Sequence, residues 1–104
     1  MAFNKLVRDK IPEIIKNNNE TPITRILSDE EYKIELEKKL YEEYQEVLES
    51  SGNDRLEELA DMLEVMIALA NTQNASLEDI IKIADKKRTK RGGFQEKIFL
   101  ENVK

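Results

Sequence analysis

Four carboxylates stand at spacings that allow them to act together: Glu43 and Glu46, then Glu58 and Asp61 after a short gap. On a helix each residue advances about 100°. Leu36, Leu40 and Val47 therefore share one stripe, with Tyr44 at its edge. Glu43 falls in the middle of that stripe and Glu46 on its flank, whereas Glu35, Glu42 and Glu49 take the opposite side, where solvated glutamates belong. Glu58 and Asp61 repeat the anomaly, heading a face continued by Met62, Val65 and Leu69. Carboxylates aimed into apolar surroundings are costly to desolvate unless a cation or hydrogen bonds compensate.

Ser51, Gly52 and Asn53 form a turn too short for anything but a helical hairpin. Counted outward from it, Glu46 and Glu58 lie at nearly matching heights, and so do Glu43 and Asp61, at about 1.5 Å of rise per residue. Four carboxylates would converge on one spot, and a divalent cation, or two, is the simplest way to make that tolerable. A Glu-Glu-x-x-Glu string alone is commonly a solvated face. That bland reading leaves the stripe position and the matched heights unexplained.

The chain has no cysteine and no histidine. Thiolate nucleophiles, zinc fingers, iron–sulfur clusters, Ser-His-Asp triads and His-ligated metals are excluded with them. A metal here must accept oxygen ligands only, which suits Mg²⁺, Mn²⁺ or Ca²⁺. Mg²⁺ keeps several waters and also takes phosphate oxygens, the chemistry of phosphoryl transfer. A general base must be a carboxylate, a lysine, a tyrosine or metal-bound water.

Cations gather near both ends of the chain. Ile80, Ile83 and Ala84 form the apolar face of a third long helix, and helical spacing continues that stripe through Lys87 and Arg91. Two cations facing a cleft would suit the polyphosphate of an anionic ligand. The competing explanation is the helix dipole, which draws Lys and Arg to C-termini. Lys5, Arg8 and Lys10 make a smaller basic cluster that reads as surface charge.

The elements that must carry these residues are mostly helical. Pro12 opens a short helix that the asparagines at 17–19 stop. Ser28 with Glu31 is a capping box and starts a long helix to about Ser50. A second long helix follows from about Asp54 to Thr72, and a second capping box, Ser76 with Asp79, starts a third that ends before Gly92. Short β segments are expected near both termini, with 97–103 pairing to the stretch around Ile23 to Leu27. The expected architecture is a mostly all-α helical bundle built around an antiparallel hairpin, in one domain spanning 1–104.

The second long helix is apolar nearly all round, with Leu56, Leu59, Leu63 and Ile67 opposite Met62, Val65 and Leu69. The chain is 39% apolar and 38% charged, light on core, so a homo-oligomer, dimer or tetramer, is expected to supply the missing burial. No apolar run approaches the roughly 20 residues of a membrane span, and the N-terminus lacks a signal-type apolar core, so a cytoplasmic protein is expected. With 22 acidic against 17 basic residues, the net charge is −5, which argues against nucleic acid as the main partner.

Lys39-x-x-Glu42-Glu43-x-x-Glu46 followed by Glu58-x-x-Asp61 resembles the bipartite motif of the MazG-like, all-α nucleotide pyrophosphohydrolases. The opening Lys5-Leu6-Val7-Arg8-Asp9-Lys10-Ile11-Pro12 is similar to the start of the small members often labelled phosphoribosyl-ATP pyrophosphohydrolase-like. The resemblance implies a helical bundle completed by a second subunit. It also implies Mg²⁺-dependent hydrolysis of a nucleoside triphosphate to the monophosphate and pyrophosphate. By the same resemblance Glu43, Glu46, Glu58 and Asp61 are metal ligands, and Glu42, Glu43 and Glu46 form the catalytic group, with Glu42 a base or a supporting residue. Lys39, Asp85, Lys87 and Arg91 stand at its substrate-binding positions, although Asp85 replaces an asparagine and Arg88 an aromatic residue. Attack of water between the α- and β-phosphates builds negative charge that a metal, Lys or Arg can stabilise. A non-catalytic helical oligomer that binds nucleotide or metal for regulation is the rival from another class.

Overall fold

The computed structural model describes residues 4–104. Its chain order is α1 (Ile11–Asn17), α2 (Asp29–Glu49), α3 (Gly52–Asn71) and α4 (Leu77–Arg91), with no strand among the described residues. The architecture is all-α.

Local chemistry sets the ends of each helix. Pro12 sits in the first turn of α1, where its missing N–H would have had no helical partner. The Ser28 side chain caps α2 by accepting from the Glu31 N–H at 3.2 Å, and Glu31 reaches back to the Ser28 N–H. Arg25 clamps the same carboxylate at 2.9 Å. These contacts, the Arg25 hydrogen bond first and Ser28 after it, draw the Glu31 pKa down to about 2. Ser76 and Asp79 repeat the reciprocal cap on α4, the Ser76 N–H donating to Asp79 at 2.8 Å. Each such cap is worth about 1 kcal/mol.

Between α2 and α3 only Ser50 and Ser51 intervene, both in extended conformation. Gly52 opens α3 at a φ of 57°, a left-handed value that costs a side-chain-bearing residue strain. The Arg55 guanidinium donates to the Ser50 carbonyl at 3.1 Å and closes the corner. The hairpin is antiparallel, and its seam is carried by Leu36 and Val65, the two buried apolar residues among those described.

Among the four helices only α2 with α3, and α3 with α4, pack against each other. The radius of gyration is 18.0 Å, against about 13 Å for a compact domain of this length. The described chain is elongated, 62 × 33 × 24 Å.

Two expectations need correction. Neither terminal β segment forms: Ile23 and Ile26 are 98% and 95% exposed, and Ile98, Phe99, Leu100 and Val103 also face outward. An isolated two-stranded ribbon is marginal in water, and Lys97, at a φ of 59°, interrupts the extended run. On α3, Val65 is buried and Met62, Ile67, Leu69 and Ala70 are half-buried, while Leu56, Leu59, Leu63 and Met66 stay exposed in the single chain. The other correction is that α4 leaves α3 early. Ile80 is half-buried, and every residue from Ile81 onward is exposed. Six of the seven residues from Asp85 to Arg91 are charged, so that half of the helix has little apolar surface to hold it down.

Candidate metal centre

The α2–α3 seam carries one charged residue in its interior. Glu43 is 7% exposed, on the same face of α2 as Leu36, and its Oε2 has no hydrogen-bond partner. The Glu58 Oε2 is likewise buried and unpartnered. Carboxylate oxygens of Glu43, Glu58 and Asp61 all lie within 4.8 Å of one another. Buried carboxylate oxygens are ordinarily satisfied, so the two orphans on facing helices are the site's defining feature.

The electrostatics follow from this crowding. Burial foremost, then the charge and hydrogen bonding of Glu46, then Asp61, push the Glu43 pKa up to about 7, with Lys39 opposing them. Glu58 is raised first by hydrogen bonding to the Glu46 carboxyl, then by desolvation and by the charges of Glu46, Asp61 and Glu57. Glu46 is thus the neighbour of both, although it stands outside the close triad. Several carboxylates this near one another cannot all ionise freely without a cation among them.

The donor set fits a hard divalent ion. It is all oxygen, it comes from two helices held by one tight turn, and Asp61 remains half-open to water. An ion of the Mg²⁺ or Mn²⁺ type needs such oxygens together with room for its own waters.

The other residues expected at the site are distributed unevenly. Lys39 is half-buried on α2, 3.6 Å from Glu42, and its charge reaches Glu43. Glu42 is spent on that pair at the edge of the cluster. Asp85 pairs with Arg88 at 3.2 Å on the open surface of α4. Lys87 and Arg91 are exposed and make no ion pair among the described residues, so the expected cleft around them is not formed by one chain.

One basic residue comes to the cluster that spacing does not indicate. Arg8 donates from Nη2 to Asp61 Oδ1 at 2.7 Å, joining residues 53 apart in sequence. By sequence Arg8 belongs to a basic cluster with Lys5 and Lys10 that reads as surface charge.

Two grooves lie away from the cluster. One is lined by Asp29, Tyr32, Lys33, Ala68, Asn71 and Thr72 at the far end of the hairpin. The other is apolar, between α3 and α4, and includes Met66, Leu69, Ala70, Ile80 and Ile83.

Comparison with known proteins gives one relative and no function. A protein of Mycolicibacterium smegmatis described only as uncharacterized is 46% identical over 50 residues, covering 48% of this chain and 51% of that protein. The chain thus matches about half the length of this relative. No family model matches, and no solved structure matches. Among the described residues, no helix is long and apolar enough to cross a membrane.

Proposed function

We propose that the chain is a cytoplasmic, Mg²⁺-dependent nucleotide pyrophosphohydrolase, with Mn²⁺ as an alternative ion, that cleaves a nucleoside triphosphate or related nucleotide to the monophosphate and pyrophosphate. The observation that carries this reading is Glu43. A nine-tenths buried carboxylate with an unpartnered oxygen, set within 4.8 Å of Glu58 and Asp61, calls for a cation. The resemblance of the two half-motifs to the MazG-like pyrophosphohydrolases supplies the reaction.

Glu43, Glu58 and Asp61 would hold the ion, with Glu46 beside them. Bound there, Mg²⁺ would supply charge neutralisation and a coordination position for diphosphate oxygens. The chain's own residues do the rest. Lys39 offsets part of the negative charge around Glu43. The attacking water would be oriented, and its proton accepted, by a carboxylate of the group Glu42, Glu43 and Glu46 that the resemblance implies. The reaction needs no covalent enzyme intermediate, in keeping with the absence of Cys and His. Lys87 and Arg91 are assigned to the phosphates, and Asp85 to the same substrate-binding segment.

That assignment requires α4 to face a second copy. Leu56, Leu59, Leu63 and Met66 on α3 and Phe94, Ile98, Phe99 and Leu100 beyond α4 form exposed apolar surface on an already elongated chain. A homo-oligomer, dimer or tetramer, would cover it and turn the open surface of α4 into the wall of a cleft.

The decisive experiment is pyrophosphate release with Mg²⁺ across a panel of NTPs, dNTPs and damaged nucleotides. Turnover of at least one nucleotide that vanishes in EDTA and in Asp61→Asn supports the hydrolase. Nucleotide or metal binding with no turnover anywhere on the panel would favour the regulatory-module reading.

A further inference from the structure

A cation of the chain's own pairs directly with a carboxylate of the acidic cluster. Arg8 lies just before α1, where the Ile11 N–H donates to the Arg8 carbonyl at 3.0 Å and fixes the backbone in a turn. From there its guanidinium crosses to α3 and meets Asp61 Oδ1 at 2.7 Å. The side chain is 59% exposed, and this is its one hydrogen bond among the described residues. A guanidinium carries five N–H donors in a planar fork, so most of the fork points elsewhere than Asp61.

We propose that Arg8 is a phosphate-binding residue of the carboxylate site, parked on Asp61 until that carboxylate turns to a divalent cation. The inference rests on reading the cluster as a cation site, and it adds the N-terminal segment to that site. Three features carry it. Asp61 is one of the three carboxylates that converge, and its neighbour Glu43 has a buried oxygen still without a partner, so the cluster is short of positive charge even with Arg8 in place. The Arg8–Asp61 pair is open to water, and such pairs are weak enough to exchange readily. Lastly, a guanidinium fork matches phosphate oxygens in a bidentate manner that a lone carboxylate contact does not exhaust. Once Asp61 turns inward, Arg8 keeps its anchored backbone and presents a free fork beside the bound ion, where a diphosphate would lie.

The test measures two affinities by calorimetry in wild type, Arg8→Ala and Arg8→Lys: Mg²⁺ alone, and inorganic pyrophosphate in saturating Mg²⁺. Arg8→Ala should bind Mg²⁺ as tightly as wild type or up to about fivefold tighter, because a competing cation is gone. The same variant should bind pyrophosphate about tenfold more weakly, or worse. Arg8→Lys should recover part of the pyrophosphate affinity, since it restores the charge without the fork. Loss of pyrophosphate affinity with Mg²⁺ affinity kept or gained is the signature. Parallel loss of both in Arg8→Ala would make Arg8 a structural support of the cluster and overturn the proposal. So would pyrophosphate affinity unchanged in Arg8→Ala, or wild type that binds Mg²⁺ but not pyrophosphate. Wild type that takes up no Mg²⁺ would sink the cation site itself, and Arg8's role with it.

Discussion

Replacing Glu43 by Gln removes a charge that the metal-free protein holds at a disadvantage. In the folded chain this carboxyl has its pKa pushed from 4.5 up to about 7 by burial and by its acidic neighbours. The native state therefore binds this proton more tightly than the unfolded state does. Its contribution to stability is present below about pH 4.5 and is lost progressively as pH rises to about 7. At about 1.4 kcal/mol per pKa unit, and with part of the shift shared with Glu46, the loss is roughly 2–3 kcal/mol at pH 8. Gln keeps the shape and stays neutral. Glu43→Gln should therefore be more stable than wild type by that amount at pH 8 in EDTA, and by under about 1 kcal/mol at pH 5. Thermal melts at one protein concentration read this directly, since 1 kcal/mol moves Tm by about 4 °C or more in a domain this small. Saturating Mg²⁺ should reverse the order by raising the wild-type Tm and leaving the variant unmoved. A variant that melts below wild type at pH 8 in EDTA would refute the reasoning. An equal gain at both pH values would show that packing, not charge, had changed.

Three further outcomes are expected. Ser28→Ala should cost about 1 kcal/mol of stability by removing the α2 cap, read as a lower urea midpoint at unchanged slope; no change would mean that the Arg25–Glu31 clamp alone sets the start of the helix. Leu63→Glu, on the exposed face of α3, should shift the sedimentation coefficient toward the monomer, whereas a wild-type monomer at micromolar concentration would remove the oligomer from the picture. Lys87→Ala and Arg91→Ala should each lower kcat/KM roughly 10- to 150-fold, the loss of a charged phosphate contact. Unchanged kcat/KM with a stability loss of about 0.3–1 kcal/mol would instead make them dipole partners of α4.

The parts of this molecule that were legible in its sequence are those decided within a few residues. Both capping boxes form as their Ser-x-x-acid spacing predicts, because a cap is complete within four residues. Glu43 is buried because helical periodicity placed it in the stripe of Leu36, and the two-residue corner brought α3 alongside. What was illegible depends on surfaces that periodicity does not name. Hydrophobic pattern marked the stripe of α4 without showing that the helix would leave its neighbour after Ile80. The tail carries strand-forming residues with no partner to pair with. Arg8 escaped because a contact across 53 residues has no local spacing to betray it.

The corner at Ser50–Ser51 also orders events in time. The three converging carboxylates, with Glu46 beside them, all lie from Glu43 to Asp61, so the whole donor set comes together when one short loop closes. Closure of such a loop and growth of its helices take on the order of microseconds, whereas contacts between chains wait for diffusion. The hairpin must therefore close against the mutual repulsion of its own acids before any second copy can arrive. Divalent ions in the refolding buffer should speed this first, concentration-independent phase and leave the later, bimolecular one to scale with protein concentration.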